Sequence, residues 1–248
     1  MDIPIVTYNV HKPSELDPLS WEERKPDIIE LLYPYQIMGL QEVTEPVLGE
    51  LLDGLPNMKA VAAWRTDGED NGISSPILYD AKEFQLLHSE EKWIHIDPVN
   101  PSQASEFSYS IAILLHKETG STYRVVNAYL PKGEFFNKRL AVVKLRSNLS
   151  ISSSTYNLLM GCFNIEADSE AYDQLADSYL VDSFQATQNQ CRPSISTYNT
   201  FDPANKVHLT KDYIFTDHPN VFWACIEERL KFGYYLSEHI PYYLLIRE

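Results

Sequence analysis

A set of polar residues stands where apolar runs end. Asn9 closes Ile3-Pro4-Ile5-Val6-Thr7-Tyr8-Asn9, and Glu42 follows Ile37-Met38-Gly39-Leu40-Gln41. Tyr129 lies in Asn127-Ala128-Tyr129-Leu130-Pro131, while Cys162 and Asn164 lie in Gly161-Cys162-Phe163-Asn164. Near the end of the chain stand Lys211-Asp212-Tyr213-Ile214-Phe215 and Ser237-Glu238-His239. Carboxylates such as Glu42 and Glu238 can hold a hard divalent cation. An imidazole such as His239 changes charge near neutral pH and can donate to an anionic oxygen. Asn9, Asn164 and Tyr129 offer neutral hydrogen bonds that position an anion without repelling it. Together these groups suit the neutralising and positioning of an anionic substrate.

Taken singly, each has an ordinary explanation. A lone Glu after a strand is usually solvated or capping. A Tyr is most often a core residue with a bonded hydroxyl. Asn9 and Asn164 are common turn types. Cys162 after an apolar run reads first as an inert buried thiol. His239 is the hardest to explain structurally, because it follows a Gly-Tyr-Tyr-Leu segment. The weight therefore falls on the ordered set, and on the elements that must bring it together.

Those elements follow from periodicity. Residues 3–9 predict a buried strand. Ser20 and Glu23 form a capping-box pattern, and Pro26 suits the opening turn of a helix with Ile28, Ile29, Leu31 and Leu32 on its apolar face. Strands are expected at 37–41, 59–63, 77–79, 84–87, 111–115, 124–130, 156–160, 211–215, 221–226 and 242–246. Helices are expected at 45–52, 136–149 and 169–177. Residues 66–75, 97–105 and 150–154 read as loops. No repeat or domain boundary interrupts residues 1–248. Strand-rich order with interspersed helices suits two stacked sheets with helices outside, and polar residues at strand ends suit a pocket at one rim.

In this order the segments resemble the endonuclease/exonuclease/phosphatase superfamily, which includes apurinic endonucleases, pancreatic-type deoxyribonuclease, deadenylases, sphingomyelinases and inositol phosphatases. The resemblance runs from Thr7 to about Leu245. It implies an α+β, four-layer αββα sandwich of two stacked mixed β-sheets flanked by helices, with residues 1–248 as one domain. It also implies a phosphoric-ester hydrolase that uses Mg²⁺ or Mn²⁺. By position, Asn9 helps to orient the site and Glu42 binds the metal. Tyr129 contacts the phosphate, as in the AYVP segment of the apurinic-endonuclease branch. Asn164 is the Asn of GDxN, Asp212 orients the catalytic His, and His239 is that His. Arg139 lies where members often carry an Arg. These residue types fit the chemistry, since phosphate charge grows as water attacks and a carboxylate-held cation neutralises it. A fold of this kind hosts many functions, so the motifs do not name a substrate.

The sequence departs from the pattern in three places. Cys162 replaces the Asp of GDxN, which activates or orients the attacking water. A thiol accepts hydrogen bonds poorly, has an unperturbed pKa of about 8.5 and is a poor ligand for Mg²⁺. Loss of a general base typically costs roughly 10²–10⁴-fold in rate. Glu238 replaces the Asp of the usual SDH, keeping the charge on a longer arm that can still reach a metal. Ile73 occupies the neighbourhood before Ser75-Pro76-Ile77-Leu78-Tyr79 where related bacterial proteins often carry an acid.

Bulk properties narrow the partners. The net charge of −15 repels polyanions over most of the surface and disfavours nucleic acid. Arg24-Lys25 and Lys138-Arg139 read as solvated helix faces. Cys162, Cys191 and Cys225 are too few for a disulfide framework. No apolar run is long enough to span a membrane, Met1-Asp2-Ile3-Pro4 resembles no targeting segment, and a reducing cytoplasm is the expected compartment. Two readings remain: a phosphoesterase impaired at Cys162, or a catalytically silent binding protein on the same fold.

Overall fold

The computed structural model describes residues 1–62, 72–95, 106–132, 137–177, 179–191, 196–205 and 209–248. The expected loop at 97–105, and most of that at 66–75, lie outside the described residues.

The chain opens with β1 (Asp2–Asn9), α1 (Trp21–Leu32), β2 (Ile37–Gln41), α2 (Glu45–Gly54), β3 (Met58–Val61) and β4 (Ile77–Asp80). There follow β5 (Phe84–His95), β6 (Glu106–His116), β7 (Thr122–Tyr129), α3 (Lys138–Arg146), β8 (Thr155–Cys162) and α4 (Glu170–Leu175). Short elements come next: β9 (Val181–Asp182), α5 (Ser183–Ala186) and β10 (Gln190–Cys191). The chain ends with β11 (Asp212–Thr216), β12 (Val221–Ile226), β13 (Leu230–Lys231), β14 (Tyr234–Tyr235) and β15 (Tyr242–Arg247). One sheet has the order β10-β12-β15-β1-β2-β4-β3 and the other β5-β6-β7-β8-β11-β9. Both are mixed, because β1 is parallel to β2 and β7 to β8 while their other neighbours run antiparallel.

Alternation along the strands builds three apolar layers between four structural ones. Ile3 and Ile5 of β1, with Ile37 and Ile77, meet Leu114, Val125, Leu158, Met160 and Ile214 between the sheets. The opposite face of the first sheet, with Val6, Tyr8, Met38 and Leu40, packs on Ile28, Leu31, Val47 and Leu51 of α1 and α2. The outer face of the second sheet, with Val126, Leu159, Phe163 and Phe215, packs on Ala141, Val142, Leu145, Ala171 and Leu175 of α3 and α4. The expected αββα sandwich is the fold.

Two motif glycines allow close approach, Gly39 between the two sheets and Gly161 between the neighbouring strands β7 and β8. A Cβ on Gly39 would lie 2.4 Å from Met160 Sδ and 2.8 Å from Asn127 Oδ1. Gly161 has φ 146°, and a Cβ there would lie 2.0 Å from the Ala128 carbonyl oxygen. Only glycine adopts that backbone region readily.

Several expectations need correction. The Ser20–Glu23 capping box forms, but α1 starts at Trp21, so Pro26 lies inside the helix rather than opening it. Arg24 is fully buried rather than solvated, and Lys138 donates to the Asn164 carbonyl. Cys191 and Cys225, register partners on β10 and β12, are joined in a disulfide, leaving Cys162 as the free thiol. The short elements β9, β10, α5, β13 and β14 carry too few residues for periodicity to reveal them. Among the described residues no helix is long and apolar enough to cross a membrane.

Candidate active site

The inward faces that carry aliphatic side chains in mid-sheet turn polar at one rim. Asn9 lies opposite Gln41 where the parallel strands β1 and β2 end. In the second sheet Tyr129, Cys162 and Asp212 form one row across β7, β8 and β11. Beneath them, Asn127 and Gln41 tie the sheets together. Gln41 Nε2 donates to Asn127 Oδ1 at 2.7 Å, and Asn127 Nδ2 donates to the Leu40 and Pro76 carbonyls at 2.8 Å. The rim is thus rigidly spaced by buried hydrogen bonds before any site residue is considered.

On the first sheet, Asn9 Nδ2 donates to Glu42 Oε1 at 2.9 Å, while Asn9 Oδ1 accepts from the His11 N–H at 2.9 Å. Glu42 Oε2 and Glu238 Oε2 lie 3.9 and 3.7 Å from His11 Nδ1, so the two carboxylates converge on one point. Lys132 Nζ stands 3.3 Å from Glu238 Oε2. On the second sheet, Asp212 Oδ2 meets His239 Nδ1 at 2.7 Å, with both side chains buried. Ser237 Oγ donates to the Asn9 carbonyl and accepts from the His239 N–H, which joins that pair to β1. Thr197 Oγ1 accepts from the Lys211 and Asp212 N–H groups at 2.9 and 3.1 Å. Asn164 Nδ2 donates to the Leu130 carbonyl.

Electrostatics separates the ionisable groups. Burial pushes the Glu42 carboxyl upward. The Asn9 hydrogen bond and the charges of His239, His11 and Lys132 outweigh it and hold Glu42 below its ordinary value. Burial, then Asp212 and Glu42, push the Cys162 thiol well above its ordinary value, so it stays protonated at neutral pH. Burial and the neighbouring Glu42 push the Tyr129 phenol upward too, leaving it a neutral donor.

Strain and uncommitted atoms mark the same place. His11, Glu42, Asn164, Thr200 and Phe201 all have left-handed backbones, with φ of 59, 55, 50, 59 and 67°. Such residues persist where the surroundings enforce them, and they gather at functional sites. Thr200 N–H donates to the Glu238 carbonyl, and Phe201 meets the His11 ring edge-on. Asp212 Oδ1, His239 Nε2 and Asn164 Oδ1 are buried without a partner in the protein. Buried polar atoms are ordinarily paired, so these imply a ligand, ion or water. The oxygen donors Glu42 and Glu238 fit Mg²⁺ or Mn²⁺; the Cys162 sulfur does not.

The structure brings together Asn9, Glu42, Tyr129, Cys162, Asn164, Asp212, Glu238 and His239. Arg139 stands apart, paired with Glu170 at the surface. Ile73 lies beside Tyr129, lining a small gap with Ser74 and Ser108. Arg24 is a buried support beneath the candidate site that the sequence reading missed. Its guanidinium donates to the Val10, His11 and Leu236 carbonyls and lies 3.5 Å from Asp17, clamping the loop after β1 to the segment before His239. A basic pair on a helix gives no signal of this. A cavity of about 320 Å³ shares Thr197 and Asp212 with the site but none of Glu42, Cys162 or His239.

The fold is that of the endonuclease/exonuclease/phosphatase proteins. An endonuclease/exonuclease/phosphatase family protein from Bacteroides thetaiotaomicron superposes with a TM-score of 0.87 at 20% identity, covering 99% of this chain and 98% of that one. The mannosyl-6-phosphatase of the same species gives 0.86 at 20% identity, covering 99% and 100%. TDP2 from D. rerio, complexed with a single-stranded DNA product, gives 0.76 at 17% identity, covering 100% and 99%. No family model and no curated protein matches the sequence.

Proposed function

We propose that residues 1–248 form one phosphoric-ester hydrolase domain that works with Mg²⁺ or Mn²⁺ on a small phosphoester, with turnover limited by Cys162. The observation that carries this reading is the buried Asp212–His239 pair, whose uncommitted His239 Nε2 shares a cleft with Glu42. Glu42, with Glu238 beside it, would hold the cation, which supplies neutralisation of the phosphate charge. Asp212 fixes the imidazole orientation so that His239 can hydrogen-bond a phosphate oxygen as charge builds. Tyr129 and Asn164 place the phosphate through neutral contacts, and Asn9 aligns Glu42. Cys162 stands where a water-activating carboxylate is expected, yet its protonated thiol cannot accept the water's proton.

The net charge of −15 favours a small substrate over a nucleic acid. The mannosyl-6-phosphatase neighbour supports the same direction. Lys132 and Lys211 flank the Tyr198 ring at 5.1 and 3.6 Å, giving the mouth a local positive edge for a single phosphate. The fully buried Cys162 also motivates the second reading, a protein that binds the phosphoester without turning it over.

Phosphate release from a hexose 6-phosphate, and cleavage of a chromogenic phosphodiester and of a single-stranded oligonucleotide, test the reading in the presence of Mg²⁺. Slow, metal-dependent turnover of a small ester that His239→Ala abolishes is expected. Metal-dependent binding of the ester without turnover would favour the silent binding protein. Neither binding nor turnover of any small ester, even in Cys162→Asp, would refute both readings.

A further inference from the structure

His11 is held more tightly than a surface histidine needs to be. Its backbone sits in the left-handed region at φ 59°. Its N–H donates to Asn9 Oδ1 at 2.9 Å, and its carbonyl accepts from the buried Arg24 guanidinium at 2.8 Å. The ring meets Phe201 edge-on, with centroids 5.0 Å apart. Strain of this kind persists where the surroundings enforce it, and it gathers at functional groups.

Asp17 fixes the role of the ring. Its Oδ1 lies 3.0 Å from His11 Nε2, while its Oδ2 accepts from the Ser14 N–H and lies 3.5 Å from Arg24. A carboxylate can only accept, so Nε2 carries a proton. The two ring nitrogens point apart, which turns Nδ1 away from Asp17. Nδ1 stands 3.9 Å from Glu42 Oε2 and 3.7 Å from Glu238 Oε2, too far for hydrogen bonds. Three electron-rich atoms thus converge, and they repel one another unless a cation stands among them. Two donors of one small divalent ion stand at most about 4.2 Å apart, so one ion can bridge His11 and Glu42. A histidine whose far nitrogen donates to a carboxylate is also the usual arrangement at a metal centre.

We propose that His11 Nδ1 joins Glu42 as a direct ligand of the cation, with Asp17 orienting the ring and Glu238 on the far side. The inference rests on the cation site of the proposed hydrolase and names what that site prefers. Mg²⁺ demands oxygen donors in near-ideal octahedral geometry. Imidazole nitrogen suits transition-series ions, so the mixed donor set favours such a divalent cation over Mg²⁺. A proton borne by Nδ1 leaves to solvent as the nitrogen–metal bond forms.

Mn²⁺ is the probe, because its unpaired electrons sense a directly bound nitrogen. The full chain, without reductant so that Cys191 and Cys225 stay paired, is loaded with an equivalent of Mn²⁺ and read by electron spin-echo modulation. Strong modulation from imidazole nitrogen is expected in the unaltered chain and in His239→Ala. His11→Asp, whose side chain tolerates the left-handed backbone, keeps Mn²⁺ but loses the modulation, and its preference for Mn²⁺ over Mg²⁺ falls. Bound Mn²⁺ without nitrogen modulation in the unaltered chain overturns the proposal, and that result needs no variant to fold. Modulation that survives in His11→Asp, or that vanishes in His239→Ala, overturns it as well. Mn²⁺ that binds without nitrogen and is released by Glu42→Gln would remove His11 while leaving the hydrolase cation site standing. No Mn²⁺ binding at all would remove both.

Discussion

The two sheets meet at one rim but furnish it differently. On the first sheet both polar side-chain atoms of Asn9 are engaged. Asn9 bonds Glu42 on one side and the His11 N–H on the other, and Glu42 carries its charge easily because its neighbours favour the anion. On the second sheet the row Tyr129–Cys162–Asp212 leaves Asp212 Oδ1 open, and its central residue is a thiol held protonated by burial and adjacent carboxylates. Two ionisable groups of one cleft are therefore driven apart, Glu42 toward its charged form and Cys162 toward its neutral one. Such divergence usually separates the roles within an active site. In the proposed hydrolase it would leave a carboxylate ready for a cation beside a thiol that cannot take a proton from water. On that reading the charge-handling half of the site keeps the expected pattern, and the proton-handling half departs from it at Cys162.

The comparison can be broken from either side. The largest effect is expected for His239→Ala made in a Cys162→Asp background, where initial rates should fall by roughly 10²–10⁴-fold as transition-state support is lost. An unchanged rate would remove His239 from the chemistry. Next comes Arg24→Met, which strips a buried cation from Asp17 and from the Val10, His11 and Leu236 carbonyls. Breaking a buried charged network costs about 3–5 kcal/mol, and urea unfolding should show a loss of that size. Gly161→Ala should destabilise by at least about 1–3 kcal/mol, the cost of a forbidden backbone region, since the new Cβ has no space against Ala128.

The smallest expected effect concerns Glu42→Gln, which should weaken Mg²⁺ binding by more than roughly tenfold, or about 1.4 kcal/mol, with little change in folding. The pH dependence follows from the sign of the Glu42 shift. Its folded-state value is depressed, so the stabilisation is present above the ordinary carboxylate range and is lost as pH falls through the folded value. Calorimetry of Mg²⁺ binding should therefore retain affinity to a lower pH than an ordinary Glu allows. Loss of binding already at weakly acidic pH would contradict that placement.

Much of the fold was legible because its strands are long enough to show a period. Residues 3–9, 37–41 and 124–130 carry alternating or continuous apolar runs, and the polar residue that ends each run marked the rim. The residues of the candidate site stood out as an ordered set rather than individually. What escaped the sequence was contact between distant segments. Arg24 reads as a surface cation on a helix, yet its burial depends on carbonyls of Val10 and Leu236 that only the fold assembles. Gln41 and Asn127 sat inside the recognised segments, but their bridge between sheets is a property of register. The Cys191–Cys225 pairing likewise arises because β10 lies beside β12, which no spacing announces. His11 gave no signal at all, since its strained backbone and its two carboxylate neighbours are features of the folded loop.

The account stands most directly on the initial rate of phosphoester hydrolysis with Mg²⁺ for the unaltered chain against Cys162→Asp. A gain of roughly 10²–10⁴-fold in Cys162→Asp, dependent on Glu42, is the predicted result. Equal rates in the two proteins, each well above that of His239→Ala, would contradict the claim that Cys162 is what limits this site.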